Sequence, residues 1–553
     1  MPNEGRRRLN PAQALAVALI GGPTLGGLAV TFAAAFHYLP ALGATQPSLA
    51  PWRRLLAEPG LAGSLRLTLG VGFAATALSL LLALSLLAVA RPRALAPLLA
   101  SPHSALAIGL AFLIAPSGWI ARALSPWATG WTAPPDIATV GDDWGVSLTL
   151  GLIVKETPFL IAVGIAALRQ FPALDQMRIA QALGYGRSVA FALVTAPQLY
   201  GRIRWPVYAV LAYSLSSVDM ALILAPSHPS PLSLLALRWL TSPDLDDLFP
   251  GEAAAILQLM VTVAALVVWR LIEGAAGAAL RARALSGARG GGWAVGGLAG
   301  LGAAALALGF ASLAALAVWA FAWRWPFPAA WPPSFTSSLV VAQIPRLAGP
   351  LGATLALGLL VATVALALAV GWLEAEDRLG RRTHVGLVTA PLLLPQIGFL
   401  FGVQILFAAS RLDGSFAAVA WAHLLFVFPY VWLTLADPWR ALDRRYIRAA
   451  ASLGVSPWAT LARVKLPILL GPLALAFAVG FAVSAAQYLA TLFAGGGRVS
   501  TLTTEALALA GGGDRRLSAL LGLSQTAAPL ALYAAALALP RAVYARRRGL
   551  RDP

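Results

Sequence analysis

The organisation of the chain is decided by two related stretches, DQMRIAQALGYGRSVAFALVTAP from Asp175 to Pro197 and RYIRAAASLGVSPWATLARVKLP from Arg445 to Pro467. Aligning Gly184 with Gly454 places a leucine directly before each glycine and a proline thirteen residues after it. Small residues recur two and four residues before each glycine. The two stretches therefore predict an internal repeat with a period of 270 residues.

Each stretch has the composition of two short helices separated by a turn. Glycine permits the left-handed conformation that often ends a helix, and proline is tolerated in the first turn of the helix that follows. The small residues allow another surface to approach closely. We therefore predict that each stretch is a short helix lying across the cytoplasmic face, where it contacts a partner protein. An ordinary amphipathic loop is the alternative for either stretch taken alone.

The composition of the whole chain indicates a membrane protein. Of its 553 residues, 59% are hydrophobic and 11% are charged, whereas an average soluble domain has about 25% charged residues. This excludes a soluble enzyme, a disordered protein and a coiled coil. The chain has no cysteine, which excludes disulfides and thiol catalysis. Its net charge of +18 comes from arginines scattered between apolar blocks, a pattern typical of membrane orientation and not of nucleic-acid binding.

The apolar segments predict an all-α polytopic membrane protein with about twelve transmembrane helices, because about 20 apolar residues are needed to cross the hydrocarbon. We expect spans at 12–36, 64–90, 96–119, 146–168, 206–226, 252–271, 295–322, 350–373, 385–409, 415–436, 468–494 and 517–539. They divide into a first repeat of six spans (1–280), a flexible Gly/Arg-rich linker (281–292) and a second repeat of six spans (293–553).

The basic residues predict the orientation of these spans. Most of the 40 Lys and Arg residues fall on the side that holds the N-terminus if the chain crosses twelve times, so both termini are expected in the cytoplasm. Arg6, Arg7 and Arg8 precede the first span in the manner of a signal peptide. The apolar run is long and has no clear cleavage site, so we expect a retained helix.

Polar and ionisable residues inside the predicted spans are candidates for the translocation path, because such residues are costly in lipid and often functional. Lys155 and Glu156 lie in the fourth span, Asp219 lies in the fifth, and Gln487 lies near the matching place in the second half. Asp219 could attract a cation. The alternative is that these groups form structural pairs or a hydrogen-bond network that holds the helices together.

The other polar residues indicate no metal or cofactor site. The histidines, His384 among them, lack metal-ligand spacing. The acidic pairs Asp142-Asp143 and Asp246-Asp247 fall in predicted outer loops, where a solvated loop is the expected role. Docking charges for a partner protein and a catalytic pair are the alternatives.

The two repeated stretches resemble the EAA loop of type I ABC importer permeases, whose pattern is E-A-A-x(3)-G-x(9)-I-x-L-P. The second copy matches it at Ala449, Ala450, Gly454, Leu466 and Pro467, and the first, looser copy matches it at Ala180, Gly184 and Pro197. Ala182, a small residue that recurs as Ser452, also belongs to the first predicted coupling loop. Both copies place an arginine, Arg178 and Arg448, where the pattern has glutamate. The match implies a helix–glycine–helix geometry, but no salt bridge from that glutamate.

The resemblance implies two fused MetI-like permease domains in a bacterial inner membrane, as in single-chain permeases of iron(III) and thiamine importers. Stretches from Ser214 and from Ala485 resemble the YnjC branch of thiamine-type permeases. The implied partners are a cytoplasmic ABC ATPase dimer, a periplasmic substrate-binding protein and a small solute, thiamine or another. Neither lysine of the chain lies in a G-x(4)-G-K-[ST] phosphate loop, so we expect ATP hydrolysis on a separate chain, with no cofactor here.

Two other classes of membrane protein are alternatives to the ABC permease. An ion-coupled secondary transporter with 6+6 repeats could use Glu156 or Asp219 as a coupling acid, but it would need no duplicated cytoplasmic segment. A polytopic membrane enzyme would need acidic or histidine clusters at a membrane face, for which Asp142-Asp143 is the one hint. The duplicated segment favours the permease.

Overall fold

The computed structural model of the protein describes residues 10–92, 94–380, 382 and 386–545. Within these residues the chain forms helices and loops, with two isolated β-bridges and no β-strand. The predicted all-α architecture is therefore confirmed. Arg6, Arg7, Arg8 and His384, which the sequence analysis named, lie outside the described residues.

The main helices of the first half run from residue 11 to residue 285. They are α1 (Pro11–Ala35, with a π-helical turn at Val17–Gly21), α2 (Leu61–Val89), α3 (Ala96–Ala100), α4 (His103–Ile114), α5 (Val146–Leu168), α6 (Ala173–Ala182), α7 (Arg187–Ala190), α8 (Ala196–Ser216) and α9 (Leu248–Leu285). A shorter helix, Leu232–Leu240, precedes α9.

The main helices of the second half follow in the same order. They are α10 (Gly292–Phe321), α11 (Ser338–Leu379), α12 (Leu400–Ala409), α13 (Phe416–Arg440), α14 (Arg444–Ser452), α15 (Pro457–Thr460), α16 (Leu470–Ala485) and α17 (Arg515–Val543). A shorter helix, Leu502–Ala510, lies before α17 and matches Leu232–Leu240 of the first half.

Fewer helices qualify as membrane spans than the twelve predicted. Within the described residues, nine helices are long and apolar enough to cross a bilayer, and a tenth qualifies if Pro457–Ile468 and Leu470–Ala485, bent by 78°, form one span. The predicted fifth span is not among them, because its helix, α8, begins at Ala196 and includes Arg202 and Arg204. These arginines lower its mean hydropathy.

The predicted ninth span, 385–409, is also corrected by the structure. The chain there forms the short helices Gly386–Thr389, Ala390–Leu392 and Gln396–Gly398 before α12. Pro391 and Pro395 interrupt the helical hydrogen bonding, because proline has no backbone N–H to donate. The predicted third span is broken in the same way between α3 and α4, at Pro102.

The first helix of each half packs on the opposite half. Helix α1 lies against α12 and α11, while α10 lies against α2 and α4. Glycines make both crossings close: a Cβ built on Gly402 would lie 2.1 Å from the Gly27 carbonyl oxygen, and one on Gly109 would lie 2.3 Å from the Ser312 carbonyl oxygen. The backbones therefore touch, as small residues permit at membrane helix interfaces.

Matching threonines tie the two short helices to the second span of each half. Thr68 of α2 accepts a hydrogen bond from the Leu232 amide at 2.9 Å, and Thr354 of α11 accepts one from the Leu502 amide at 3.0 Å. The first amide of each short helix is therefore bonded in the same way. The duplication seen in the sequence extends to these tertiary contacts.

The surface of the helix bundle is apolar along its sides. Val263, Val267 and Leu271 of α9 and Leu301 of α10 are exposed. A soluble protein rarely exposes such a large apolar surface, whereas lipid tails would cover it. The exposed side chains therefore agree with a multi-pass membrane protein.

The predicted linker, residues 281–292, is partly helical. Helix α9 continues through Arg281–Leu285, and α10 begins at Gly292. Gly287 and Gly291 have positive φ angles of 68° and 90°, so the turn itself is short and falls at the glycines.

Candidate functional site: two repeat segments and an intramembrane polar cluster

The two repeated stretches fold alike; we call residues 173–197 the first repeat segment and residues 444–467 the second. In the first, α6 is followed by a turn, α7 and a π-helical turn at Phe191–Thr195. In the second, α14 is followed by a turn, α15 and a π-helical turn at Leu461–Lys465. The bounds of the second helix and of the π-turn repeat with the period of 270 residues. The repeat is therefore structural as well as sequential.

A glycine with a positive φ angle turns the chain in each repeat segment. Gly184 has φ 86° and Gly454 has φ 72°, a region that residues with a Cβ rarely adopt. Nothing lies within 4 Å of a Cβ built on Gly454, so backbone conformation alone requires glycine there. At Gly184 the guanidinium of Arg289, from the linker, would lie 3.3 Å from the added Cβ.

Each repeat segment presents an apolar side chain beside its glycine. Leu183 is 62% exposed and Leu453 is 81% exposed, at equivalent positions. Ala180 and Ala450 are buried against the rest of the protein. The other predicted coupling residues near these leucines lie outward: Arg178, Ala182, Arg448 and Ala449 are exposed.

The two prolines of the repeated pattern lie where the following helix begins. Pro197 is the second residue of α8, and Pro467 follows Leu466 in the short helix Leu466–Ile468. Tyr544, near the end of the described chain, donates a hydrogen bond to the Pro467 carbonyl oxygen at 2.7 Å. The second segment is therefore linked to the C-terminal region.

A buried ion cluster supports the second repeat segment. Lys465 donates to Glu374 at 2.6 Å and to Asp377 at 2.7 Å. Arg378 pairs with Glu374 at 2.9 Å and lies over the ring of Trp458, which belongs to α15. The sequence analysis missed this cluster, although the run LEAEDR at 373–378 places four charged residues at the end of an apolar helix.

The first repeat segment lacks this anchor. Thr195 stands at the position of Lys465, and its hydroxyl has no hydrogen-bond partner within the described residues. Instead, Arg289 of the linker lies over the ring of Tyr185 at 5.8 Å. The first segment thus contacts the connection between the halves, whereas the second is held by ion pairs within its own half.

Lys155, a candidate residue of the translocation path, is bonded to backbone carbonyl groups. Its side chain is buried, and its ammonium donates to the carbonyl oxygens of Leu98 at 3.0 Å, Leu99 at 3.4 Å and Ser101 at 2.5 Å. These carbonyls end α3, and a cation near a helix C-terminus is favoured by the helix dipole. Lys155 therefore stabilises the C-terminal end of α3, where the chain breaks before α4.

Glu156 and Asp219 belong to one network, which we call the polar cluster: His103, Glu156, Tyr213, Ser217 and Asp219. His103 Nε2 lies 3.3 Å from Glu156 Oε1, and the rings of His103 and Tyr213 lie 4.4 Å apart. Tyr213 donates to Asp219 at 2.7 Å, and Ser217 donates to the same oxygen at 3.3 Å. Helices α4, α5 and α8 supply most of these groups.

The second half also borders the polar cluster. Ser104, directly after His103 on α4, donates a hydrogen bond to Gln525 Oε1 of α17 at 2.8 Å. Gln487, which we expected near the matching place in the second half, shows no hydrogen bond to Asp219, and the Gln487 Oε1 atom has no partner within the described residues. The cluster therefore lies where the halves meet, but Gln487 is not bonded into it.

Sequence reasoning missed His103 and Tyr213 as members of the cluster. A signal for His103 exists in a second repeat, because APLLASPH at 96–103 matches APLLLPQ at 390–396 with one residue fewer. This aligns His103 with Gln396, each directly after a proline that precedes a helix. Tyr213 carries no comparable signal, since its counterpart at the period of 270 is Val483.

One member of each acidic loop pair is bonded within the protein, Asp142 of the first pair and Asp247 of the second. Asp142 accepts hydrogen bonds from the Val146 and Ser147 amides, both at 2.8 Å. Partial burial alone would raise the pKa of Asp142, but the bonds from Ser147 and Val146 outweigh it and hold this pKa below its ordinary value. Asp247 pairs with Arg54. Within the described residues, no group of three or more His, Asp or Glu side chains could hold a metal ion.

Comparison with known proteins finds one informative relative. The inner membrane ABC transporter permease protein YnjC of Escherichia coli (strain K12) is 32% identical over 521 residues, which cover 91% of this chain and 93% of the relative. No protein-family model matches the chain, and no solved structure matches it.

Proposed function

The chain belongs to the ABC transporter permeases, and we propose that its two repeat segments couple it to a separate ATPase dimer in an importer. As a permease it is the transport subunit and a multi-pass inner membrane protein. The relationship gives no support to an ion-coupled secondary transporter or to a membrane enzyme. The observation that carries the proposal is the duplicated helix–glycine–helix segment with its exposed leucine.

Leu183 and Leu453 are the groups that we expect the ATPase to bind. Both are exposed apolar side chains held on a turn at equivalent positions, so two copies of one ATPase could bind the two sites in the same way. Arg178 and Arg448 each lie five residues before their leucine and are exposed. By charge complementarity, we expect acidic residues on the ATPase beside its apolar groove.

The ion cluster explains how movement would pass from the second segment into the membrane. Lys465 joins the segment to Glu374 and Asp377 at the end of α11, and Arg378 of α11 lies over Trp458 of the segment. Removing either partner of a buried pair is costly, so the segment and α11 are expected to move as one body. ATP binding would draw the ATPases together and thereby shift α11.

The first segment would transmit movement along α8. This helix begins directly after the π-helical turn Phe191–Thr195 and carries Tyr213 near its other end. Asp219 follows shortly after the helix ends at Ser216. A displacement at the ATPase would therefore reach the polar cluster through a single helix of 21 residues.

The remaining parts of the proposal concern orientation, domains and solute. Both termini lie in the cytoplasm, residues 1–280 and 293–553 act as two permease repeats, and a periplasmic binding protein delivers solute to the outer face. Glu156, Asp219 and Gln487 border the translocation path. The resemblance to thiamine-type permeases makes thiamine the first solute to test.

The proposal is tested by purifying the tagged full-length chain from its native membrane in mild detergent. We expect a P-loop ATPase to co-purify at two copies per chain and to hydrolyse ATP. The matched comparison is the Gly454→Val chain, which should insert normally but recover less of that ATPase. A chain that purifies alone and without ATPase activity would overturn the coupling proposal.

A further inference from the structure

We propose that an anionic phospholipid binds between the two halves, with its phosphate on Arg122 and Arg515 and an acyl chain in a nearby apolar groove. Arg122 belongs to the short helix Trp119–Leu124, which follows α4, and Arg515 is the first residue of α17. Neither arginine belongs to the polar cluster or to a repeat segment. The lipid would therefore join the two halves at a place that the proposed coupling does not use.

The site lies at the end of the helix bundle away from the second repeat segment. Lys465 of that segment is bonded to Glu374, near the end of α11. The loop 322–337 lies before the start of α11, a helix of 42 residues, and is therefore at the opposite end. Arg122 reaches this loop, because its Nη1 atom donates to the Pro326 carbonyl oxygen at 2.8 Å.

The two guanidinium groups share one carbonyl oxygen and have no carboxylate partner. Arg122 Nε donates to the Ser117 carbonyl oxygen at 2.9 Å, and Arg515 Nη1 donates to the same oxygen at 3.1 Å. Within the described residues neither arginine pairs with an acid, whereas Arg516, the next residue, pairs with Asp514 at 3.2 Å. Two positive charges thus meet at a neutral acceptor, and a phosphate beside them would offset their repulsion.

Three hydrogen-bond donors around these arginines are unused. The Trp319 ring lies 5.5 Å from the Arg122 guanidinium and 5.3 Å from that of Arg515. Trp319 is 6% exposed, and its buried Nε1 atom has no acceptor in the part of the chain that the structure describes. Arg122 Nη2 and Arg515 Nε likewise donate to no described residue. A buried donor without an acceptor is costly, and the several oxygens of a phosphate would supply acceptors for all three.

Tryptophan rings connect the arginines with the groove. The Arg122 guanidinium lies 5.0 Å from the centre of the Trp325 ring. The Trp325 and Trp119 rings lie 6.1 Å apart, and the Trp119 and Trp331 rings lie 5.3 Å apart. Tryptophan is enriched at the membrane–water interface, where lipid headgroups lie. The two arginines are therefore at the level of lipid phosphates.

The groove has the composition that a hydrocarbon chain requires. It is open, has a volume of about 520 Å³, and is lined by Trp331 together with Ala317, Val318, Phe321, Phe335, Thr336 and Ser337. Trp331 and Phe335 are exposed, so the groove opens on the outside of the bundle. An acyl chain would cover this apolar surface, while the unpaired arginines select an anionic headgroup.

The test uses the full-length chain, freed of bound lipid in mild detergent and titrated with three probes. Dioleoylphosphatidylglycerol is anionic, dioleoylphosphatidylcholine has the same acyl chains with a zwitterionic headgroup, and glycerol phosphate has no acyl chain. The apparent affinity is read from the rise of the thermal unfolding midpoint with probe concentration, because a ligand of the folded state stabilises it. We expect the anionic lipid to bind at least about tenfold more tightly than either other probe, since choline adds a positive charge beside the arginines and glycerol phosphate leaves the groove empty.

Matched variants separate the site from general attraction of anionic lipid to a basic protein. Arg122→Gln and Arg515→Gln should each weaken binding of the anionic lipid about tenfold or more. Arg324→Gln, which removes an exposed arginine of the same loop, should bind as the unaltered chain does. Trp319→Phe keeps the ring and removes an N–H that has no described partner, so it should fold normally and bind several-fold more weakly. Ala317→Phe places a ring in the groove and should also weaken binding.

Equal stabilisation by the anionic and zwitterionic lipids, or unaltered binding in Arg515→Gln and Trp319→Phe, would overturn the proposal. Glycerol phosphate that binds as tightly as the anionic lipid would also overturn it, because the groove would then hold no acyl chain. If lipid fails to bind although transport requires both arginines, the ligand is instead a carboxylate of a partner protein. These measurements need no ATPase, so they are read independently of the coupling proposal.

Discussion

Lys465 and Glu374 form a buried ion pair, with the lysine Nζ atom 2.6 Å from the glutamate Oε2 atom. Asp377 accepts a second bond from the same ammonium at 2.7 Å and is itself bonded by the Trp439 indole. The pair joins a segment close to the glycine turn with the end of a long membrane helix. Thr195 occupies the equivalent position in the first half and forms no ion pair. The two repeat segments are therefore held in place by different interactions.

Replacing Lys465 should destabilise the second repeat segment. Lys465→Met leaves Glu374 buried with Arg378 as its remaining ionic partner, and removing one member of a buried pair costs about 3–5 kcal/mol. We expect a lower midpoint of thermal unfolding in detergent and weaker coupling of ATP hydrolysis to transport. Thr195→Val is the matched control, because that hydroxyl has no described partner to lose. Equal unfolding midpoints for the two variants would contradict the anchoring role.

The glycine turns give a prediction about coupling. Gly184→Val and Gly454→Val force a β-branched residue to a positive φ angle, which costs roughly 1–2 kcal/mol and displaces the neighbouring leucine. Transport should fall in both variants while the chain still inserts, as judged by its yield in the membrane fraction. Gly186→Ala, whose φ is −62° with open space around it, should transport normally. Normal transport in both valine variants would refute the assignment of these segments.

The exposed arginines give a prediction about the partner. Arg178→Glu and Arg448→Glu reverse a charge where we expect acidic residues on the ATPase, and each change at a rim position should weaken association several-fold. The effect should shrink as salt is raised, because exposed charges are screened. Arg324→Glu, in a loop after α10, is the matched control. Unaltered ATPase recovery at low salt in the double variant would contradict an acidic partner surface.

The helix–glycine–helix geometry of the repeat segments could be predicted from the sequence, because each turn depends on the backbone conformation of a single glycine. Gly184 and Gly454 meet a requirement of the backbone, and the period of 270 residues makes the match visible. The broken helices were harder to predict. Average hydropathy across Pro391 and Pro395 stays high, although the missing amide donors divide the helix.

The partners of Lys155 and His103 could not be predicted, because they are distant in the sequence. Lys155 was a candidate for the path because a lysine in lipid is costly, with a structural role as the alternative. Its observed partners are backbone carbonyls that the break at Pro102 frees. Such carbonyls have no signature in the sequence. The contact of His103 with Glu156 likewise depends on how α4 packs beside α5.

The first helix of each half crosses a helix of the other half, α1 against α12 and α10 against α4. Substitutions at the glycines of these contacts test both crossings. Gly402→Ala and Gly109→Ala place a methyl group 2.1 Å and 2.3 Å from a carbonyl oxygen of the crossing helix, and that backbone atom cannot rotate away. Overpacking of this kind typically costs about 1–3 kcal/mol, so both variants should unfold at lower temperature in detergent.

Gly300→Ala is the matched control for these crossings, because it lies within α10 and nothing is found within 4 Å of the added methyl. That change should stabilise the helix by about 0.5–1 kcal/mol, since alanine loses less backbone entropy than glycine. A Gly402→Ala chain as stable as the Gly300→Ala chain would mean that α1 does not touch α12. Each half would then have to bury its first helix by itself.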